Sequence, residues 1–253
     1  MRYGEKVDMR GGGHFSGRLT TPLCCAGGIA LQILKQKGIE IGAHLKQIGS
    51  VQDTTMSFTE PDMAALQKVS HETVAMVSSQ ARLKAITYID ELRQEGDSTG
   101  GIIELFATGL PAGLGNPNFD GIENRLSRAL FGIPGVKGVA FGSGFDGCLD
   151  RGSNQNDPFR LENGKVRTLN NNSGGIQGGI TNGMPLVLKV GMKPTASIAK
   201  VQPSFSYEAA ANTDLQIKGR HDPCIAVRAV PVVEAVTALV LLDFLLDNTI
   251  KLD

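Results

Sequence analysis

The longest apolar run in the sequence, residues 235–242, is the feature that most constrains the fold. Glu234 and Asp243 bound this run, so it is too short to span a bilayer. We predict a buried helix over residues 232–246, packed inside a domain or between subunits. Because a helix that is apolar on all sides must be surrounded by other elements, we expect one domain over residues 1–253.

Apolar periodicity predicts three further helices. The first has Thr20 or Thr21 as its cap, Pro22 in its first turn and Gly38 as its stop signal. The second is predicted over residues 74–95. The third is predicted over residues 120–131, where one apolar stripe contains Phe119, Ile122, Leu126 and Leu130.

Strands alternate with these helices along the chain. They are predicted over residues 39–48, 101–108, 136–141 and 185–192. Residues 150–172 are polar and glycine-containing, which predicts a long loop. The alternation indicates an α/β or α+β fold, and periodicity alone leaves the topology open.

The charge balance limits the classes of partner. Lys plus Arg and Asp plus Glu both number 25, so no overall field attracts nucleic acid or an anionic membrane, and an anionic ligand needs a local site. The four cysteines lack metal-ligand spacing, which favours buried free thiols in a reducing compartment. The first fifteen residues are charged and glycine-rich, unlike a signal peptide, so we expect a cytoplasmic protein.

Two glycine-rich segments are candidate ligand sites. Residues 10–18, RGGGHFSGR, precede a predicted helix, where backbone N–H groups and two arginines are suited to bind an anion. A flexible glycine turn with solvated arginines explains this segment about equally well. Residues 171–179 contain paired glycines that allow close backbone approach to a ligand, and a mobile surface turn is an equal alternative there.

Two further segments carry polar side chains next to apolar ones. Residues 193–197, KPTAS, place a cation and two hydroxyls after a predicted strand, which suits phosphate but also an ordinary turn. In residues 219–224, GRHDPC, Arg220 beside Asp222 suggests a tuned carboxylate that acts as a base. The alternative is a structural ion pair at a turn. His44 and His71 favour packing or surface roles, and the common hydrolase, zinc and nucleotide-triphosphatase motifs do not occur.

Seven segments in order resemble the chorismate synthase family across essentially the whole chain. They are RGGGHFSGR, GDSTGGIIE, ATGLPAGLGNPNFD, VKGVAFGSGF, NNNSGGIQGGITNG, KPTASI and GRHDPC. The resemblance implies a sandwich of helices between antiparallel sheets. It also implies a 1,4-anti elimination of phosphate from 5-enolpyruvylshikimate 3-phosphate, which gives chorismate for aromatic amino-acid biosynthesis and requires reduced FMN.

The resemblance also assigns roles to residues of this sequence. Asp222 and Ser16 are the implied catalytic residues, and Arg10, Arg18 and Arg220 the implied substrate-binding residues. The implied cofactor-binding residues are His14, Phe15, Ser16, Pro134, Gly135, Gly178, Lys193, Pro194, Thr195, Ala196, Ser197 and Arg220. No metal site is implied.

Further expectations concern assembly and activity. The resemblance implies a cytoplasmic homotetramer that is supplied with reduced flavin by a separate flavin reductase or by an NAD(P)H-derived reductant, NADPH included. Members of the family carry GESHG-like and PGHAD-like segments, each with a proton-transferring histidine, and neither occurs in this sequence. We therefore expect an incomplete N-terminal side and impaired turnover by this chain alone. The alternative is a noncatalytic homologue that binds FMN or substrate, or only oligomerises.

Overall fold

The computed structural model describes Tyr3 and residues 10–250. For residues 10, 11 and 248–250 it describes the backbone only. Two short 3-10 helices, Arg10–Phe15 and Gly17–Thr20, lead into the first α-helix, and a third covers Asp146–Leu149. The α-helices are α1 Thr21–Gln36, α2 Met63–Val69, α3 Ser79–Glu95, α4 Ile122–Leu130, α5 Gly152–Gln155 and α6 Ala226–Ile250.

The strands form one larger sheet and three hairpins. They are β1 Glu40–Ile48, β2 Val51–Gln52, β3 Gly101–Thr108, β4 Val136–Phe141, β5 Phe159–Glu162, β6 Lys165–Thr168, β7 Ile176–Gln177, β8 Ile180–Thr181, β9 Leu186–Met192, β10 Gln202–Ser206 and β11 Ala211–Leu215. The five-stranded sheet has the order β2-β1-β3-β9-β4, with every pairing antiparallel. The predicted mixed fold with antiparallel sheets is confirmed.

Helix α6 lies in the interior, as its composition predicts. It packs against α1, α4, β1 and β3, and Val233, Ala238 and Leu241 are fully buried. The helix is longer than predicted because it begins at Ala226 and continues through Pro231. Within the described residues, Ala226–Asp247 is therefore long and apolar enough to cross a membrane, contrary to the prediction from the apolar run alone. Because 56% of its most apolar stretch is buried in the fold, its length is only weak evidence for a membrane span.

The crossing of α1 and α6 depends on one glycine. A Cβ at Gly27 would lie 2.3 Å from the Cβ of Ala235 and 2.5 Å from its Cα, so the two backbones approach too closely for any side chain. A Cβ at the adjacent Gly28 would have nothing within 4 Å. The two glycines of α1 therefore have different roles.

The face of the sheet opposite α6 buries a row of charged side chains. His44, Glu104 and Lys189 are direct neighbours across β1, β3 and β9. The His44 Nδ1 lies 2.8 Å from Asp53 Oδ2 and its Nε2 lies 3.2 Å from Glu104 Oε2. Since both ring nitrogens face carboxylate oxygens, the geometry indicates a protonated imidazole that donates to both.

The pKa values of this network follow from its contacts. Burial alone would lower the pKa of His44, but the hydrogen bonds to Asp53 and Glu104 outweigh burial and raise it. Burial would raise the pKa of Asp53, but His44 and the backbone N–H groups of Ser78 and Val77 lower it. The network thus fastens the segment after β2 and the start of α3 to the sheet.

A buried carboxyl from α6 caps the outer edge of β1. The backbone N–H of Ala43 donates to Glu234 Oε1 at 2.8 Å. Burial raises the pKa of Glu234 to about 7, and the hydrogen bond from Ala43 offsets only part of that effect. Glu234, which bounds the apolar run in the sequence, therefore faces the protein interior.

Three local predictions are wrong. Helix α3 begins at Ser79 rather than residue 74, because the Ser78 side chain accepts from the Ala81 N–H and caps it there. Residues 150–172 contain α5 and the β5–β6 hairpin, whose turn has positive φ at Asn163 and Gly164. Phe119 is 87% exposed, because α4 begins only at Ile122 and helical spacing does not extend back to it.

Candidate functional site

A cavity of about 280 Å³ lies where the entrance to α1, the turn after α4, the end of β9 and the first turn of α6 meet. Six residues predicted from the sequence line it, namely Phe15, Pro134, Gly135, Lys193, Thr195 and Ala196. Apolar side chains of Ile133, Met192, Ile225 and Val232 form much of the remaining wall. The structure thus brings together residues from two of the four candidate segments, 10–18 and 193–197, with the turn at Pro134 and Gly135. Asp222 of the segment 219–224 contacts Arg228, which also lines the cavity.

The turn after α4 is tied to the segment after β9. The Lys193 N–H donates to the Gly135 carbonyl at 3.0 Å. Gly135 has a φ of 93°, and a Cβ there would lie 2.8 Å from Cδ1 of Ile225, so both conformation and space favour glycine. This arrangement places Pro134 and Lys193 on neighbouring parts of the cavity wall.

The segment 193–197 carries a buried polar atom that has no partner. The Ser98 hydroxyl donates to the Thr195 carbonyl at 2.7 Å and fixes the backbone. The Thr195 Oγ1 is buried and makes no hydrogen bond within the described structure. A buried hydroxyl without a partner costs free energy, and this one belongs to a residue that lines the cavity.

The GRHDPC turn forms the predicted ion pair with a different arginine. Asp222 Oδ1 accepts from the Cys224 N–H at 3.1 Å, and Oδ2 accepts from Arg228 Nε at 2.6 Å. The bond to Cys224 turns the carboxylate towards the start of α6, within reach of Arg228. The prediction that Arg220 holds Asp222 is wrong: Arg220 is exposed and forms no ion pair with the described residues.

His221 links two of the candidate segments. Its Nε2 lies 2.9 Å from the Ile217 carbonyl, which can only accept, so Nε2 carries a proton. In the neutral ring, Nδ1 then accepts from the Ser197 hydroxyl at 3.0 Å. The Thr99 N–H donates to the Pro223 carbonyl and attaches the same turn to the start of β3. Pro194 and Ser197 belong to this framework but not to the cavity lining.

The first candidate segment contributes less than predicted. The Ser16 hydroxyl accepts from the Arg18 N–H at 3.3 Å and caps the second 3-10 helix, which is a structural role. His14 and Arg18 are exposed and do not line the cavity. The side chain of Arg10 lies outside the described residues. Phe15 is therefore the implied cofactor residue that this segment places on the wall.

Gly178 lies away from this cavity, contrary to its predicted grouping with Pro134 and Gly135. It lines a second cavity of about 380 Å³ with Ser143 and Gln155. The β7–β8 turn that contains Gly178 contacts the start of α4, where the Ile122 N–H donates to the Gly179 carbonyl, whereas Pro134 follows the end of that helix. The nine residues of α4 span roughly 13 Å at 1.5 Å per residue.

The electrostatics of the first cavity are positive. Lys193 and Arg228 line it, and among the residues that the structure describes no acidic side chain belongs to its lining. The cysteines are unpaired as predicted, although only Cys224 is buried, whereas Cys25 and Cys148 are exposed. Burial raises the pKa of the Cys224 thiol, which disfavours the thiolate. Within residues 10–250, no cluster of side chains has the composition of a metal site.

Sequence analysis missed Arg228 and its contact with Asp222. The two residues are six positions apart, and the contact depends on α6 beginning at Ala226, before the predicted start of the helix. An earlier predicted start would have placed Arg228 in the first turn, next to the GRHDPC segment. Arg228 was missed because the predicted start of the helix lay after it in the sequence.

Comparisons with known proteins agree on one family. A family model for chorismate synthase matches residues 1–246. The chorismate synthases of Korarchaeum cryptofilum (strain OPF8) and Pyrococcus abyssi (strain GE5 / Orsay) are each 44% identical over 246 residues, with 97% of this chain and 67% of the relative covered. The enzyme of Dehalococcoides mccartyi (strain ATCC BAA-2100 / JCM 16839 / KCTC 5957 / BAV1) is also 44% identical over 246 residues, with 97% of this chain and 66% of the relative covered.

A crystal structure of chorismate synthase matches the fold with a TM-score of 0.82 and 29% sequence identity. The match covers 98% of this chain and 69% of that chain. This chain therefore spans about two thirds of the length of the relatives that it matches.

Proposed function

Because this chain belongs to the chorismate synthase family, we propose that it acts as a phosphate lyase on 5-enolpyruvylshikimate 3-phosphate. The reaction is a 1,4-anti elimination that removes phosphate and a ring proton and gives chorismate. The observation that carries the proposal is the cavity, in which six implied cofactor-binding residues, Lys193 among them, meet a second cation, Arg228. The product serves aromatic amino-acid biosynthesis.

The cavity fits a phosphorylated flavin. Phe15 and the apolar wall suit a flat ring system, and Lys193 and Arg228 suit a phosphate group. Thr195, whose buried Oγ1 has no hydrogen-bond partner among the described residues, belongs to the same lining. Reduced FMN, when bound, supplies transient electron density to the substrate as phosphate leaves. His14, Ser16, Gly178, Pro194, Ser197 and Arg220 remain proposed cofactor contacts through the resemblance.

The residues of this chain have three proposed tasks in the elimination. Arg10, Arg18 and Arg220 hold the anionic groups of the substrate. The Asp222 carboxylate takes up a proton next to the cofactor, and the bonds from Cys224 and Arg228 fix its orientation. Ser16, the second implied catalytic residue, caps the 3-10 helix that leads to Arg18.

The proposed cellular setting follows the family. We place the protein in the cytoplasm as a homotetramer, with reduced flavin supplied by a separate flavin reductase or an NAD(P)H-derived reductant, NADPH included. Its interaction partners are then the substrate, the reductant system and other copies of the chain.

Replacing Asp222 by asparagine is expected to slow chorismate formation roughly 100-fold, because asparagine cannot take up the proton. The assay is anaerobic, with chemically reduced FMN. It uses this chain and a version extended by the family's GESHG-like and PGHAD-like segments, and Asp222→Asn is measured in the extended version. We expect impaired turnover by this chain alone and turnover in the extended version. Asp150→Asn, at an exposed position, is the matched control. An unchanged rate in Asp222→Asn would remove Asp222 from the mechanism.

A second candidate function is noncatalytic binding of FMN or substrate, or oligomerisation alone. The observation that favours it is that no histidine and no carboxylate of the described residues lines the cavity. Saturable FMN binding without turnover in either version would support it. Rapid phosphate release by this chain alone would contradict it. Reading the DNA upstream of Met1 in the same frame shows whether the two segments are encoded there.

A further inference from the structure

Arg228 is a charged residue of the cavity to which neither the sequence motifs nor the family resemblance assigns a role. It lies in the first turns of α6, and its side chain is 82% exposed. Its Nε donates to Asp222 Oδ2 at 2.6 Å. The residue therefore contacts the proposed catalytic carboxylate and the cavity at the same time.

The Arg228 guanidinium has unused hydrogen-bonding capacity. A guanidinium carries five N–H groups, and the bond to Asp222 uses one of them. Within the described residues, the two Nη atoms make no hydrogen bond or ion pair. Four N–H groups, arranged as a planar fork, are therefore available to an acceptor with several oxygens, such as a phosphate.

The charges around Arg228 favour an anionic ligand. Lys193 lines the same cavity and forms no ion pair with any described residue, and none of the described lining residues carries a carboxylate. Asp222, just behind the lining, has both oxygens engaged by Cys224 and Arg228. The described residues at the cavity thus carry two cations and one carboxylate, which leaves a net positive charge beside an otherwise apolar wall.

We propose that Arg228 binds the phosphate group of a phosphate monoester through its Nη atoms while its Nε holds Asp222. One rigid guanidinium then sets the position of the carboxylate relative to the phosphate. Arg228 is in this sense both a binding residue and the positioning residue for Asp222. The choice of ligands rests on the proposed function, in which the phosphate belongs either to FMN or to the substrate.

The test measures binding by isothermal titration calorimetry to two ligand pairs, FMN with riboflavin and shikimate 3-phosphate with shikimate. In each pair only the first member carries phosphate. For the pair whose phosphate meets Arg228, Arg228→Gln is expected to weaken binding of the phosphorylated member by about tenfold to a hundredfold. Binding of its unphosphorylated partner should stay within about twofold. Arg228→Lys, which keeps the charge but not the fork, should recover part of the loss.

Arg128→Gln is the matched control, because Arg128 is an exposed arginine of α4 outside the cavity lining. The inference is overturned if Arg228→Gln leaves both phosphorylated ligands at wild-type affinity, or weakens both members of a pair equally. A third probe is inorganic phosphate, followed through the NMR signal of the Arg228 Nε–H group. If the wild type binds neither ligand pair, the proposed function fails. A phosphate-dependent shift of that signal would then still support Arg228 as a phosphate site, and no shift would overturn it.

Discussion

Replacing Gly27 by alanine is expected to lower the free energy of unfolding by about 3 kcal/mol or more, the upper range for overpacking a core. The added methyl group would lie 2.3 to 2.7 Å from backbone and Cβ atoms of Ala235. Since these are mostly backbone atoms at a buried helix crossing, no side-chain rotation relieves the contact. Helices α1 and α6 must separate, and the packing of both against the sheet loosens with them.

Gly28→Ala is the control for this prediction, one residue away in the same helix. Nothing lies within 4 Å of the position that its methyl group would occupy, so the change should stabilise the protein by about 0.5–1 kcal/mol through helix propensity. Urea denaturation of the wild type and both variants measures the effects. Equal stabilities for Gly27→Ala and Gly28→Ala would contradict the close helix crossing.

Replacing His44 by alanine is expected to cost about 3–5 kcal/mol, the range for removing one partner of a buried ionic network. The substitution leaves Asp53 and Glu104 buried without the imidazole between them. Asp53 keeps the N–H groups of Val77 and Ser78, whereas the nearest charged partner left to Glu104 among the described residues is Lys189, at 4.0 Å. His71→Ala is the control, because His71 is exposed and should change stability by less than about 0.5 kcal/mol.

The His44 network also predicts a pH dependence. The pKa of His44 in the folded protein is raised above its ordinary value of 6.5, so its contribution is complete below pH 6.5 and is lost as the pH rises through the raised value. The lowered pKa of Asp53 acts in the acidic range, where stability is lost as the pH falls below the ordinary pKa of 3.8. Denaturation midpoints of the wild type and His44→Ala across the alkaline range test this. Parallel profiles would contradict the protonated imidazole.

Local signals predicted much of the fold. Helix α1 has a proline in its first turn and a glycine after its last, and it begins and ends where these residues indicate. Four of the five strands of the large sheet, all except β2, were predicted to within about one residue at each end. In each case the residues that determine the element lie within it, so neighbouring sequence contains the information.

Features that depend on distant residues were not predictable in this way. His44 was assigned to packing or the surface, and its two carboxylate partners come from β3 and the segment after β2. Glu234 caps a strand 191 positions away in the sequence. The start of α3 is set partly by Asp53, which binds the N–H groups of Val77 and Ser78 in extended backbone.

The candidate site also combines features that local sequence predicted with features that only tertiary structure determines. Composition indicated candidate anion-binding segments, but their grouping depended on tertiary structure. The segment 193–197 and the turn at Gly135 share a wall because a backbone hydrogen bond joins them, whereas Gly178 lies at the opposite end of α4. Arg228, rather than Arg220, reaches Asp222 because the helix begins early.

We propose that the cavity between the 3-10 helices, the turn at Gly135 and the start of α6 binds FMN. Equilibrium titration of the purified chain with FMN, followed by flavin fluorescence, tests it most directly. The wild type should bind one FMN per chain, and Ala196→Trp, which fills the cavity, should weaken binding at least about tenfold. Ala112→Trp, at an exposed turn outside the cavity, should bind as the wild type does. No saturable binding by the wild type, or unchanged binding by Ala196→Trp, would contradict the account.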